Sequence, residues 1–449
     1  MLWLLLVLVL SASAQTLTIS QAVQQAIEQY PSTRVNEEQI KAAAAGINLA
    51  RLAYLPKADA IAQMNRATRN NIYGMLLQQQ VISPISGPPL DANAGTNVWG
   101  TAIGFLISWE PFDFGLRRAT IAVNETAERR AQASLKRTRF EVAAMTADAY
   151  LTVLAAEQAL SAAKAGRDRI ATIEPVVQSL VDSGLRPGVD ISRTNAERAT
   201  MDSQVIQADG ALQIARASLS QLLNIPAAQV QISRHHFLDL VPTGATDANL
   251  KDHPAALEQA MAKDESGARL KVLERSYYPK FNTQSTIYAR GTGANPDFTT
   301  GGAASGLGPN IYNWGVGFTV TYSLMDLPGI RVRKEIEASH GRADQARYEQ
   351  LLRDLETQRL KAQIQLNTAS LLARNTPIQL KSAREAQEQA AARYRAGLIS
   401  ILEVADTQRL LTATEIDDSL ARLGIWRAQL GLAIAQGDLT DFLAKAEQP

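Results

Sequence analysis

The chain states nearly the same pattern twice. Tyr54-Leu55-Pro56-Lys57 returns as Tyr277-Tyr278-Pro279-Lys280, 223 positions later, and Tyr30-Pro31 returns as His253-Pro254 at the same offset. The offset then becomes 213 and holds: Gly104-Phe105 matches Gly317-Phe318, Trp109 matches Tyr322, Asp113 matches Asp326, Gly184-Leu185 matches Gly397-Leu398, and Asp190 matches Glu403. A period this long is a duplicated unit, not a solenoid module. The first copy carries ten extra residues between Pro56 and Gly104. Length variation belongs in loops, so that interval holds one.

Two kinds of segment alternate within each copy. The first is long helix. From Leu116 to Leu180 the only helix breakers are Gly166 and Pro175, and from Ile330 to Arg395 only Gly341 and Pro377. Strong helix formers fill both stretches. At 1.5 Å per residue the first is a rod of roughly 95 Å, a length that implies coiled-coil packing or a helical repeat. Shorter helices are predicted at Ser20–Ala53, Asp190–Leu223, Asn249–Ser276 and Ile401–Gln436. Ser20 is a candidate N-cap, and Asp113 and Asp326 stand just before the long helices. Gly184 and Gly397 stand where a left-handed terminating residue is wanted.

The second kind is strand. In Tyr312–Tyr322 the even positions are Tyr, Trp, Val, Phe, Val and Tyr, while the odd ones are Asn, Gly and Thr. In Trp99–Trp109, Trp99, Ile103, Phe105, Ile107 and Trp109 share a face with Thr101, and Leu106 is the exception on the other. Lys280–Arg290 sets Phe281, Ile287 and Ala289 opposite Asn282, Gln284 and Arg290, and Ala58–Arg69 alternates more weakly. Period two over this length argues a sheet with one apolar and one polar face. Trp99 and Trp109 are ten residues apart, roughly 33 Å along a strand. Tilted, that is roughly the 25 Å apolar band of an outer-membrane barrel with its aromatic girdles. A soluble sandwich is the competing reading of such strands. The predicted connections are 72–96 and 291–309.

Met1–Leu10 is apolar and Ala12-Ser13-Ala14 is a small-x-small pattern, which reads as a secretory signal at 1–14. No Lys or Arg precedes the apolar run. No other segment has eighteen uninterrupted apolar residues, so no transmembrane helix is predicted. Cysteine is absent, which excludes disulfides, thiolate metal sites and an N-terminal lipid on Cys. The net charge is +1 with no basic block, so no nucleic acid partner is expected. Aromatic residues are 6% of the chain and Ala is abundant, which suits helices packed through small side chains.

Each copy thus supplies a strand hairpin and a helical hairpin. Four strands cannot close a barrel, and open edges do not sit in lipid. The chain must therefore associate with copies of itself, and the charged helices must extend away from the membrane. A barrel continued by a helical tube is a conduit, and an enzyme reading finds no nucleophile–base pair.

The duplicated layout, Tyr54-Leu55-Pro56, the Asp113-x-Gly115 start of a long helix and the paired Gly-Leu turns resemble TolC-family outer-membrane efflux proteins. The resemblance spans nearly the whole mature chain and rests on order and spacing, since no single motif is specific. It implies an α+β membrane protein, homotrimeric, with four strands per chain in a 12-stranded β-barrel, a long periplasmic α-helical barrel, and a small mixed equatorial region near Asn224–Leu250. It implies a periplasmic adaptor protein, an inner-membrane transporter and outer-membrane lipid as partners, and no cofactor. The first repeat is 15–240, with strand hairpin 57–110 and helical hairpin 114–223. The second is 241–449, with strand hairpin 280–323, helical hairpin 329–436 and a C-terminal tail.

The resemblance also implies site residues. Glu403 and Asp406, six and nine positions after Gly397, match acidic residues that ring the family's periplasmic aperture, and three apart they share a helix face. Threefold symmetry gathers six such carboxylates, a cation-selective ring. The competing reading is a solvated acidic face. Tyr394, three before Gly397, matches a gate tyrosine, and Asp190 matches the acid of the first turn. The family's gate arginine, two after the Gly, is Ile399 here, so the latch must be built differently, through Arg186 or Arg395. Gly184, Leu185, Gly397 and Leu398 match the tips that meet the adaptor. Trp99, Trp109, Trp314 and Tyr322 are the expected membrane-interface aromatics.

Three sequence features invite other readings. Asp113-Phe114-Gly115 spells a kinase magnesium motif without the loops that go with it, and reads as a helix start. His235-His236 lacks the further ligands of a metal site. Asn124-Glu125-Thr126 is a glycosylation sequon inside a helix. The expected function is the exit duct of a tripartite efflux or type I secretion system in a Gram-negative outer membrane. The alternative is a periplasmic coiled-coil tether without a pore.

Overall fold

A computed structural model describes residues 16–68, 95–233, 237, 249–295, 297 and 299–447. The expected signal at 1–14, most of the 72–96 connection, His235-His236 and much of the expected equatorial region lie outside them. In chain order the elements are α1 (Ile19–Gln29), α2 (Pro31–Leu52), β1 (Lys57–Thr68), β2 (Asn97–Trp109), α3 (Leu116–Asp182), α4 (Val189–Leu223), α5 (Pro254–Arg275), β3 (Lys280–Thr292), β4 (Ile311–Thr321), α6 (Asp326–Arg395), α7 (Ile401–Gln436) and α8 (Thr440–Ala446).

Proline decides where several helices begin. The expected single helix 20–53 is two, because Pro31 has no N–H to offer and forces the preceding residue out of helical geometry. Tyr30 accordingly takes φ −68°, ψ 129°. His253 before Pro254 does the same at φ −59°, ψ 132°, so α5 starts at Pro254 and a short 3-10 turn, Leu250–Asp252, precedes it. Thr18, not Ser20, caps α1: its hydroxyl accepts from Gln21 N while the Gln21 side chain accepts from Thr18 N. Asp326, expected just before α6, is its first residue. Pro175 and Pro377 are held inside α3 and α6, which run 67 and 70 residues without interruption.

The chain divides into two compact units, each assembled from both halves of the sequence. One holds 1–39, 131–260 and 346–449, the other 40–130 and 261–345.

The first unit is helical. Its main core joins Ile19 and Val23 of α1, Tyr150, Leu151 and Leu154 of α3, Leu219 and Leu223 of α4, Trp426 and Leu430 of α7, and Phe442 of α8. Each large apolar side chain buried there contributes about 1.5–3 kcal/mol. Ala143, Ala144 and Ala147 line the same face of α3, which lets neighbouring helices approach closely. Leu17 and Ile232 form a parallel bridge, and the buried Tyr150 hydroxyl reaches the carbonyls of Ser233 (2.6 Å) and Leu17 (3.0 Å). Burial pushes that phenol well above its ordinary pKa.

The second unit carries one antiparallel sheet in the order β1-β2-β3-β4. Its register lines up Ala60, Phe105, Ile287 and Trp314 across all four strands on one face. The neighbouring rows on that face are Ala58, Ile107, Ser285, Val316 and Ala62, Ile103, Ala289, Tyr312. The other face carries Asp59, Gln63, Gln284, Thr286, Arg290 and Asn313. Phe105, Ile287, Trp314 and Phe318 are all more than 60% exposed, so in this chain the apolar face is left uncovered. Among the described residues β1 pairs only with β2, and β4 only with β3, leaving both outer edges unpaired.

Asp113-Phe114-Gly115 is a helix start. The Asp113 carboxylate accepts from Gly115 N (3.1 Å), Arg117 N (2.6 Å) and Arg117 Nε (2.9 Å). Arg117 also donates to the Ala53 and Glu110 carbonyls and stacks over the Tyr54 ring. The repeated Tyr-x-Pro segment is thereby tied to the start of α3. No described helix is long and apolar enough to cross a membrane.

Candidate functional site

Both helical hairpins turn by the same backbone device. After α3, Leu185 N donates to Leu180 O (3.0 Å) and Gly184 N to Val181 O (2.9 Å). After α6, Leu398 N donates to Arg393 O (2.9 Å) and Gly397 N to Tyr394 O (2.9 Å). These paired bonds are the Schellman termination, which needs a left-handed residue after the cap. Gly184 and Gly397 supply it at φ +74° and +80°. The residue after that glycine usually folds back onto its own helix. Here Leu185 and Leu398 stand out instead, 72% and 70% exposed.

The two turns meet through Arg186. Its Nη2 donates to Ile399 O (2.8 Å) and Tyr394 O (3.3 Å), and its guanidinium lies 4.8 Å over the Tyr394 ring. Of the two arginines open to this role, the contact falls to Arg186. Ile399 contributes its carbonyl to this link, while its side chain joins Val177, Ala390, Tyr394, Ile401 and Val404 in a small apolar core. Tyr394 is 2% exposed and Asp190 4%. Burial raises the Tyr394 phenol above its ordinary pKa, the Asp190 carboxylate adds to the rise, and Arg186 opposes it. The Tyr394 hydroxyl has no well-aligned hydrogen-bond partner, so Asp190 acts on it chiefly through charge.

Glu403 and Asp406 stand apart from that cluster, exposed on the first turns of α7. Asp406 has a partner the sequence reading passed over. Arg409 Nη1 lies 3.6 Å from it and also forks onto Glu197 of α4, with Nε at 2.8 Å from Glu197 Oε1. Glu197 is 5% exposed. The hydrogen bond to Glu197 chiefly raises the Arg409 pKa, and its guanidinium, charged like any arginine, stands beside Asp406. The spacing Asp-x-x-Arg, present at 190/193 and again at 406/409, is the sequence signal for this partner. Arg193, Glu197 and Arg409 line a cavity of about 200 Å³ with Ile170, Ile401 and Leu402.

In the sheet-bearing unit Trp99 lies near the start of β2 with Arg66 over its ring (5.2 Å). Trp109 ends the strand and donates its indole N–H to Tyr54 O (3.0 Å). Trp314 is level with Ile287 and Phe105, inside the apolar band, while Tyr312 sits nearer the start of β4 and Tyr322 just beyond its end. At the Trp109 end an aromatic cluster escaped sequence reading, because its two halves, Phe112 with Phe114 and Tyr278 with Phe281, lie more than 160 positions apart: Phe112 and Phe114 pack edge-on, Tyr278 stacks on Phe114 at 4.8 Å, and Phe281 bridges to Phe318.

Comparison with known proteins gives one consistent answer. A family model described as outer membrane efflux protein matches residues 22–224 and 247–438. No curated protein matches the sequence. Among solved structures the chain is similar to a membrane protein from Pseudomonas aeruginosa (17% identity, TM-score 0.77, covering 93% of this chain and 92% of that one). It is similar to the CmeC outer membrane channel of Campylobacter jejuni (15%, 0.73, 93% and 85%). It is also similar to the MtrE outer membrane channel of Neisseria gonorrhoeae (16%, 0.71, 94% and 89%).

Proposed function

The chain belongs to the outer membrane efflux protein family, and from that premise we propose that it is the outer-membrane exit duct of a tripartite efflux or type I secretion machine. The observation that carries this reading is the sheet. Four strands present one exposed, mostly apolar face, an opposite face that carries the polar side chains, and two unpaired edges. Lipid does not tolerate open edges, so β1 of one copy pairs with β4 of the next. Three copies make twelve strands around a polar lumen. The charged helices of the three copies form a second, periplasmic barrel. The chain is a passage, and energy comes from an inner-membrane transporter coupled through a periplasmic adaptor protein.

The gate follows from the hairpin turns. Exposed Leu185 and Leu398 are the surfaces offered to the adaptor, and Arg186 holds the two turns of one chain together by bonding to the Tyr394 and Ile399 carbonyls and lying over the Tyr394 ring. Glu403 and Asp406 of three copies ring the aperture, with Arg409 tempering the charge of Asp406. Glu403→Ala with Asp406→Ala lowers the cation preference of the pore, read as a shift of reversal potential across a salt gradient. Purified protein in planar bilayers tests the whole reading. Discrete conductance steps are expected. Bilayers that stay silent at every protein concentration overturn the duct. A duct whose selectivity is untouched by the double substitution moves the acidic ring elsewhere.

A further inference from the structure

We propose that the pocket where β3 and β4 meet the start of α6 holds the headgroup phosphate of an anionic phospholipid in the inner leaflet of the membrane. The pocket has a volume of about 340 Å³ and is lined by Tyr277, Tyr278, Lys280, Tyr322, Asp326 and Arg333, among others. Two cations and one carboxylate leave its lining at a net charge of +1. Among the described residues neither Lys280 nor Arg333 forms an ion pair, whereas the adjacent Lys334 is engaged with Glu274 at 2.9 Å. The positive end of the 70-residue α6 adds to the attraction for an anion.

Apolar surface beside the pocket says what else the ligand carries. Met325, which lines the pocket, is 92% exposed, and its neighbour Leu324 is 65% exposed. They follow the end of β4, whose Phe318 and Val320 are 63% and 49% exposed. A free phosphate gives these side chains nothing to cover them. A phospholipid places its phosphate against Lys280 and Arg333 and its acyl chains against Met325, Leu324 and Phe318. Tyrosines at the same level match the interfacial position that amphipathic rings favour.

The site rests on the reading of this chain as a membrane channel, and its test is arranged to separate the two. Intact assemblies in detergent are doped with phosphatidylglycerol or phosphatidylcholine, and retained lipid is counted by native mass spectrometry. The expected result is preferential retention of phosphatidylglycerol, with affinity about tenfold lower in Lys280→Gln and lower again with Arg333→Gln. Both side chains are exposed, and unchanged conductance in the double variant reports intact folding. Equal retention of the two lipids, equal retention by wild type and double variant, or complete displacement by inorganic phosphate each overturns the proposal. Loss of conductance in the wild type itself overturns the channel reading instead.

Discussion

His253 is the residue whose chemistry is most fully determined by its surroundings. It is 7% exposed, with its ring edge-on to Phe140. Nδ1 accepts from Ala255 N at 3.1 Å, which assigns the proton to Nε2, 3.2 Å from Ile434 O. A second proton on Nδ1 would oppose the Ala255 N–H. Burial lowers the His253 pKa, the Ile434 carbonyl resists that shift, Arg137 reinforces it and Glu141 opposes it. Arg137 is itself bound to Glu141 and Glu258, so its charge persists. The sign follows from linkage. The folded protein holds this histidine neutral, so its contribution is complete above the unfolded value near 6.5 and is lost as pH falls through the lower folded value. Melting temperature should therefore fall between pH 7.5 and 5.5, and His253→Gln should flatten that part of the profile. An identical slope in the variant would place the pH sensitivity in other groups.

At the scale of elements, Arg186 is the sole described cation bridging the two helical turns, and it does so by charge-assisted hydrogen bonds to carbonyls and by stacking on Tyr394. A hydrogen bond to a charged group is worth about 1.5–3 kcal/mol. Arg186→Ala should release the hairpin ends without unfolding them, because each turn keeps its own Schellman bonds. The expected outcome is a larger fraction of open time in single-channel records. Arg186→Lys should restore only part of the effect, since an ammonium can reach the two carbonyls that Nη2 contacts but cannot lie flat on the Tyr394 ring. Records indistinguishable from wild type would remove Arg186 from the latch.

These same elements mark the border of what sequence can convey. The long helices, the alternating strands and the two glycine turns were legible, because each is set by local periodicity or by a backbone angle only glycine takes easily. The break at Pro31 was legible in principle, since proline restricts the residue before it, yet periodicity ran through it. Pro175 and Pro377 carry the opposite lesson: packing along α3 and α6 outweighs a lost hydrogen bond. Arg186 rather than Arg395, and Arg409 between Asp406 and Glu197, depend on which helix faces which. Glu197 and Arg409 are 212 positions apart, and no local pattern reports such a pair.

For the whole molecule the decisive question is which face of the sheet meets lipid. Duplication implies two strand hairpins per chain, and four strands imply closure by further chains; both conclusions came from the sequence itself. The register adds the test. Phe105 lies in the row Ala60, Phe105, Ile287, Trp314, with Trp99 and Trp109 further along the same strand in either direction. Asn313 is next to Trp314 in β4 and points to the opposite face, paired with Tyr288. An arginine on the lipid side of a barrel costs about 2–4 kcal/mol near the bilayer midplane, while the lumen side accepts charge. Threefold symmetry repeats that cost in each copy. Phe105→Arg should therefore sharply reduce the trimer recovered from outer membranes. Asn313→Arg should leave trimer yield near wild type and instead lower cation preference, since the added charges line the passage. The reverse pattern, with Asn313→Arg failing to assemble and Phe105→Arg changing selectivity, would turn the sheet inside out and with it every assignment of lipid and lumen faces.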